Sequence, residues 1–95
     1  IPSRKRVLVE GDIISLDFGV KYEGYYTDSA ITVGVGEIDA TSRRLLDVTE
    51  RALHAGIAAA TVGNHIGDIG HAVQSVVEPE GFGIVRELVG HGVGT

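Results

Sequence analysis

Two runs, Ile13 to Val20 and Tyr25 to Val33, are rich in β-branched and aromatic residues and are separated only by Lys21-Tyr22-Glu23-Gly24. No feature constrains the fold more. A parallel crossover needs a dozen or more residues, so strands this close must pair antiparallel as a hairpin. Side chains alternate along a strand, which puts Ile14, Leu16, Phe18 and Val20 on one face of the first run and Ile13, Ser15, Asp17 and Gly19 on the other. A two-residue turn at Tyr22-Glu23 places Asp17 directly opposite Asp28. Carboxylates with Cβ atoms about 4.5–5.5 Å apart repel unless they share a proton or a cation. Bridging two divalent ions about 3.5–4 Å apart is one established use of such a pair. A shifted register, or aspartates that each face solvent, is the bland alternative, and spacing alone leaves it open.

The flanking sequence supplies the rest of the element order. Val7-Leu8-Val9 reads as a short strand stopped by the turn signal Glu10-Gly11-Asp12. After Gly34-Val35-Gly36 the pattern changes, with several N-cap candidates in Asp39-Ala40-Thr41-Ser42. Apolar residues then recur in steps of three and four from Leu45 to Ala60, predicting a helix of about 20 residues. Val62-Gly63 closes it, and Asn64 is a candidate cap for a second helix whose stripe is Ile66, Ile69, Val73, Val76 and Val77. Glu80-Gly81 turns the chain, and Phe82 to Val89 reads as a further strand leading into Gly90-His91-Gly92-Val93-Gly94. The predicted order is hairpin, helix, helix, strand, an α+β arrangement with residues 1–95 as a single partial domain.

Composition narrows the function classes. There is no cysteine, which removes disulfides and Cys-based zinc or iron–sulfur sites. Eight Lys plus Arg against thirteen Asp plus Glu leave a net charge of −5, unfavourable for duplex nucleic acid or an anionic membrane. The basic run Arg4-Lys5-Arg6 is too short to offset this and reads as a solvated arm. No apolar run approaches a membrane span and no signal peptide opens the chain, so the expectation is a soluble cytoplasmic protein. The chain begins at Ile1-Pro2 and contains no methionine, which suggests a processed form or an excerpt of something longer.

His91 is the second candidate for chemistry. It lies among glycines, which permit close approach, and imidazole is the commonest metal-binding side chain. Taken alone it is a weak signal, and a packed or hydrogen-bonded histidine is the better reading. His54, His65 and His71 lie at helix positions without ligand spacing to an acidic or histidine partner. Neither glycine-rich stretch carries the Gly-Lys-Ser/Thr of a phosphate loop, and no serine sits in a hydrolase elbow.

Together, Glu10-Gly11-Asp12-Ile13-Ile14-Ser15-Leu16-Asp17-Phe18-Gly19, Tyr25-Tyr26-Thr27-Asp28-Ser29-Ala30 and the stretch from Glu80-Gly81-Phe82 to Gly94 resemble the type I methionine aminopeptidases. Eleven positions separate the two aspartates and sixty-three separate Asp28 from His91, which fits that family. The resemblance covers nearly the whole chain and implies the N-terminal half of a pita-bread fold, two similar α-plus-β halves around a dinuclear centre. It implies that Asp17 binds one metal, that Asp28 bridges both, and that His91 supplies the only imidazole. The cofactors would be two divalent ions drawn from Mn, Fe(II), Co or Zn.

The family's other ligands, two glutamates, and its substrate-contacting histidines fall outside these residues. The resemblance therefore implies no catalytic proton-transfer residue within the chain, weak metal binding and no useful activity for it alone. The implied partners are N-terminal methionyl peptides or nascent chains, with neither nucleic acid nor membrane, and self-association through uncovered apolar surface. Proline-directed aminopeptidases or prolidases have a similar hairpin and are one alternative; a non-catalytic pita-bread binding module is another. A third is that the short chain completes a site by pairing with another polypeptide.

Overall fold

The structure, a computed structural model, describes residues 1–94. The hairpin forms from β1 (Ile13–Tyr22) and β2 (Tyr25–Gly34), antiparallel and ten residues each. Its turn is Glu23-Gly24, one residue later than predicted. Both residues have positive φ, 49° and 87°, the conformation of a type I′ turn, which glycine accepts at its second position without steric cost. Tyr22 therefore pairs with Tyr25, Gly19 with Asp28, and Asp17 with Ala30. The predicted direct opposition of Asp17 and Asp28 is corrected to a diagonal. Moving the turn by one residue shifts the pairing by two, so both aspartates still share a face. Ser15 Oγ and Thr32 Oγ1, opposite each other on that face, lie 2.8 Å apart in a hydrogen bond.

Val7 to Val9 is not a strand. The Asp12 N–H donates to the Val9 carbonyl at 3.1 Å, and the Val9 N–H donates to Asp12 Oδ2 at 3.1 Å. That local turn uses polar groups a ladder would need. Two further bonds, from the Gly11 N–H to the Val35 carbonyl and from the Val35 N–H to the Asp12 carbonyl, fasten the turn to the end of β2.

The predicted first helix is α1 (Ala40–Ala59). Asp39 caps it, its Oδ1 accepting from the Ser42 N–H at 2.7 Å. This backbone bond, followed by one from the Ser42 side chain, holds the Asp39 carboxyl below its usual range. Asn64 does not cap the second helix: its Nδ2 turns back and donates to the Ala59 carbonyl at 2.8 Å, which also accepts from the Thr61 N–H at 2.9 Å at the end of α1. His65 takes the cap of α2 (Ile66–Val77), its N–H donating to Asp68 Oδ2 at 2.7 Å. A 3₁₀ turn, Glu78–Glu80, and Gly81 at φ 81° complete this stretch.

By density of contacts the chain divides into two units, Ile1–Arg43 with the residues from Gly90 on, and Arg44–Val89. Within the second unit, α1 buries Val48, Ala52 and Gly56, spaced by four along one stripe. Gly56 permits close approach of α2: a Cβ there would lie 3.1 Å from Val73 Cγ2. Arg51 pairs with Asp47 and Glu80, Arg86 pairs with Glu78, and Arg44 stacks over Phe82. The last two of these exposed contacts tack down an irregular Phe82 to Val89 segment, where a strand was predicted. Its backbone bends instead, with the Leu88 N–H donating to the Val85 carbonyl at 3.2 Å. Among the described residues the sheet has two strands. Apolar content made the segment look like a strand, but a strand also needs a ladder partner. No helix among the described residues is long and apolar enough to cross a membrane.

Candidate metal site

The polar face of the hairpin is built in rows. Ala30 stands opposite Asp17, Asp28 opposite Gly19, and Tyr26 opposite Lys21. The diagonal placement of the two carboxylates relieves the repulsion of direct opposition while keeping them about 7–8 Å apart at the backbone. Gly19 contributes no side chain, and a Cβ there would meet nothing within 4 Å. The result is an open cleft of about 590 Å³ lined by Asp17, Asp28 and His91, with Lys21, Tyr26 and Val93 among its other walls.

His91 reaches this cleft from an irregular segment rather than from the end of a strand. Its Nε2 stands 3.6 Å from Asp28 Oδ2, with the two side chains 66% and 45% exposed. Its Nδ1 lies 2.8 Å from the Gly92 carbonyl oxygen. A carbonyl can only accept, so Nδ1 carries the proton, and the lone pair of the neutral ring is on Nε2, facing the carboxylate. A backbone carbonyl that fixes the tautomer in this way is the usual support of a metal-binding histidine.

The Nε2 to Oδ2 separation carries chemical information. At 3.6 Å it exceeds a hydrogen bond. Two ligands bound at about 2.1 Å in tetrahedral geometry stand about 3.4 Å apart, close to this spacing. The donor set of carboxylates with one imidazole suits a first-row divalent cation. Asp17 lines the same cleft, yet among the described residues no three acidic or histidine side chains converge closely enough to hold one ion together. The structure thus joins Asp28 to His91 and leaves Asp17 nearby on the shared face.

The other histidines sit apart from this chemistry. His54 faces Glu50 at 3.9 Å and His65 faces Asp68 at 3.6 Å, each one helical turn along and well exposed. His71 Nε2 lies 3.4 Å from Ser75 Oγ, also one turn along. Lys21 and Tyr26 were not singled out in the sequence, although the pairing that brings Asp28 into place also sets them side by side. The Lys21 ammonium lies 5.0 Å from the centre of the Tyr26 ring.

The family model for metallopeptidase family M24 matches residues 1–95. A methionine aminopeptidase 1 from Bacillus subtilis is 52% identical over 89 residues, which cover 94% of this chain and 36% of that protein. A methionine aminopeptidase from Clostridium acetobutylicum is 47% identical over 94 residues, covering 99% of this chain and 38% of that protein. Among solved structures, the methionine aminopeptidase of Thermotoga maritima superposes with a TM-score of 0.93 at 42% identity, over 99% of this chain and 38% of that one. The chain therefore spans somewhat over a third of the length of these relatives.

Proposed function

The chain belongs to metallopeptidase family M24, and we propose that it is the part of a methionine aminopeptidase that carries Asp17, Asp28 and His91 as metal ligands. The observation that carries this reading is the 3.6 Å approach of His91 Nε2 to Asp28 Oδ2. Two donors that face each other beyond hydrogen-bond reach, on an open cleft, are spaced for a shared cation. The diagonal aspartates extend the reading to a dinuclear centre, which Asp17 and Asp28 would hold together with His91. Mn, Fe(II), Co and Zn all suit the donor set.

Divalent ions held there would supply the chemistry of metal-assisted hydrolysis, a more acidic water and a Lewis acid for the scissile carbonyl. The chain's own contribution is to place the ligands. The hairpin register aims both carboxylates into one cleft, Gly19 keeps its floor open, and the Gly92 carbonyl holds His91 in the ligating tautomer. The substrates in this reading are N-terminal methionyl peptides or nascent chains in the cytoplasm. The names of the relatives weigh for methionine over a proline-directed specificity, and retention of all three side chains weighs against a non-catalytic module. The chain forms part of a single catalytic domain, and no proton-transfer residue is assigned within it. Exposed Phe18 and Ile31, on the apolar face of the hairpin, support its self-association.

The test is a Co²⁺ titration of this chain, followed by its visible absorption, beside Asp28→Ala and His91→Ala. Weak binding that is lost in both variants is expected, with no hydrolysis of methionyl peptides by the chain alone. Binding of equal strength in all three proteins refutes the site.

A further inference from the structure

The cleft has a cationic end that the metal-site reading does not use. Lys21 lies on the face of Asp17 and Gly19, and Tyr26 on that of Asp28, two residue rows nearer the turn. Both line the cleft. The ring of Tyr26 sits 5.0 Å beneath the Lys21 ammonium, a cation–π contact that steadies a long side chain in one direction. Among the described residues no carboxylate comes within ion-pair distance of Lys21. The cleft is thus acidic at one end and carries an unpaired cation at the other.

From this polarity we infer that Lys21, steadied by Tyr26, is a specificity-determining residue that favours peptides bearing a carboxylate a few residues from their amino end. The inference rests on the proposed metal site, because that site fixes where the amino end lies. Strand residues advance about 3.3 Å each, so Lys21 is about 7 Å along the hairpin from the row of Asp28 and about 13 Å from that of Asp17. An extended peptide has the same rise. With its amino group among the carboxylates, it brings a residue two to four positions downstream to the ammonium. The peptide's positive and negative groups then match the two ends of the cleft.

The experiment uses the ¹⁵N-labelled chain with Zn²⁺ and three peptides: Met-Ala-Ala-Glu amide, Met-Ala-Ala-Gln amide, and Met-Ala-Ala-Gln with a free C-terminus. Amide shifts of Asp28 and His91 report the metal, and those of Lys21 and Tyr26 report the peptide. The Glu amide is expected to bind about two- to fivefold more tightly than the Gln amide, the range of an exposed ion pair. High salt should shrink the ratio. Lys21→Ala should bring it to one without weakening the Gln amide, and Lys21→Arg should keep it. Equal preference for the free-acid peptide would make a terminal carboxylate a second source of the same recognition. A ratio of one in the unaltered chain, or a ratio that survives Lys21→Ala, overturns this inference alone. Zn²⁺ that leaves Asp28 and His91 unmoved overturns the metal site and this inference with it.

Discussion

Gly56 offers a sharp test of the helix packing, because two effects of similar size oppose each other there. In an ordinary helix interior, Gly→Ala stabilises by about 1 kcal/mol through backbone entropy. Here the added methyl would lie 3.1 Å from Val73 Cγ2 and 3.6 Å from Ile69 Cγ2. Comfortable carbon contacts begin near 3.5–4.0 Å, so Val73 must retreat by roughly half an ångström. A β-branched side chain in a helix has one strongly preferred rotamer, so it retreats only by moving its backbone. Overpacking of this kind costs about 1–3 kcal/mol. The balance is a net loss of about 1 kcal/mol for Gly56→Ala, equivalent to a fall of roughly 4–8 °C in melting temperature for a chain of this size. Adding Val73→Ala removes the opposing methyls and restores the entropic gain. A double-mutant cycle, melted by circular dichroism at 222 nm, should give a favourable coupling of about 2 kcal/mol, the difference between a loss of about 1 and a gain of about 1, within the range for residues in contact. A Gly56→Ala chain that melts higher than the parent, with no coupling to Val73, would refute the close approach of α1 and α2.

Two local features give further expected outcomes. Asp39→Ala should lower the melting temperature at neutral pH, whereas Asp39→Asn, an equally good cap, should hold it. The folded carboxyl of Asp39 is held below the ordinary carboxylate value of 3.8, mainly by the Ser42 N–H. Its contribution is therefore present above the unfolded value and lost as pH falls through the lower folded one, so Asp39→Asn should remove that part of the acid-side slope in melts from pH 6 to pH 2, roughly the window of a carboxylate. Gly24→Val places a β-branched residue at φ 87° and should weaken the hairpin by about 1–2 kcal/mol, with loss of the Tyr22–Tyr25 cross-strand contacts by NMR. Gly24→Asn, a residue that tolerates this conformation, should largely retain them.

How far the fold was legible in the sequence depended on whether local chemistry determined each element. The strands of the hairpin and the stripe of α1 follow from alternation and from steps of three and four, and both formed. The turn was misplaced by one residue, although Gly24 marks the position where positive φ is easiest. Because that error moves the register by an even number, the common face of Asp17 and Asp28 survived it, and only their direct opposition was lost. Val7 to Val9 and Phe82 to Val89 failed for another reason. Apolar residues predict burial, but a strand requires a partner's backbone, which a short run cannot specify. The exchange of roles between Asn64 and His65 shows similar limits, since either residue accepts a helix-start position. The approach of His91 to Asp28 was not visible in local pattern at all. It came from spacing shared with a family, and only the folded chain gives the side-chain distance. Continuing the row arithmetic in the predicted register would have set Tyr26 opposite Gly19 and Lys21 opposite Gly24, so the Lys21–Tyr26 pair became legible only once the turn was placed at Glu23-Gly24.

The loop lengths that close the proposed site also set a time order for its assembly. Asp17 and Asp28 are joined by eleven positions through a tight turn, whereas His91 is sixty-three positions beyond Asp28. Closing the longer loop costs about 1.5 kcal/mol more in chain entropy by the logarithmic length law. A hairpin zips in about 1–10 μs. At about 5–20 residues per second of synthesis, His91 emerges roughly 3–13 s after Asp28. Whenever the nascent hairpin is formed during that interval, the two carboxylates share a face while the imidazole is missing. If these residues hold metal as proposed, a cation that reaches the nascent hairpin would meet oxygen donors alone, which favour hard ions such as Mg²⁺, and the nitrogen that favours a transition metal would arrive last.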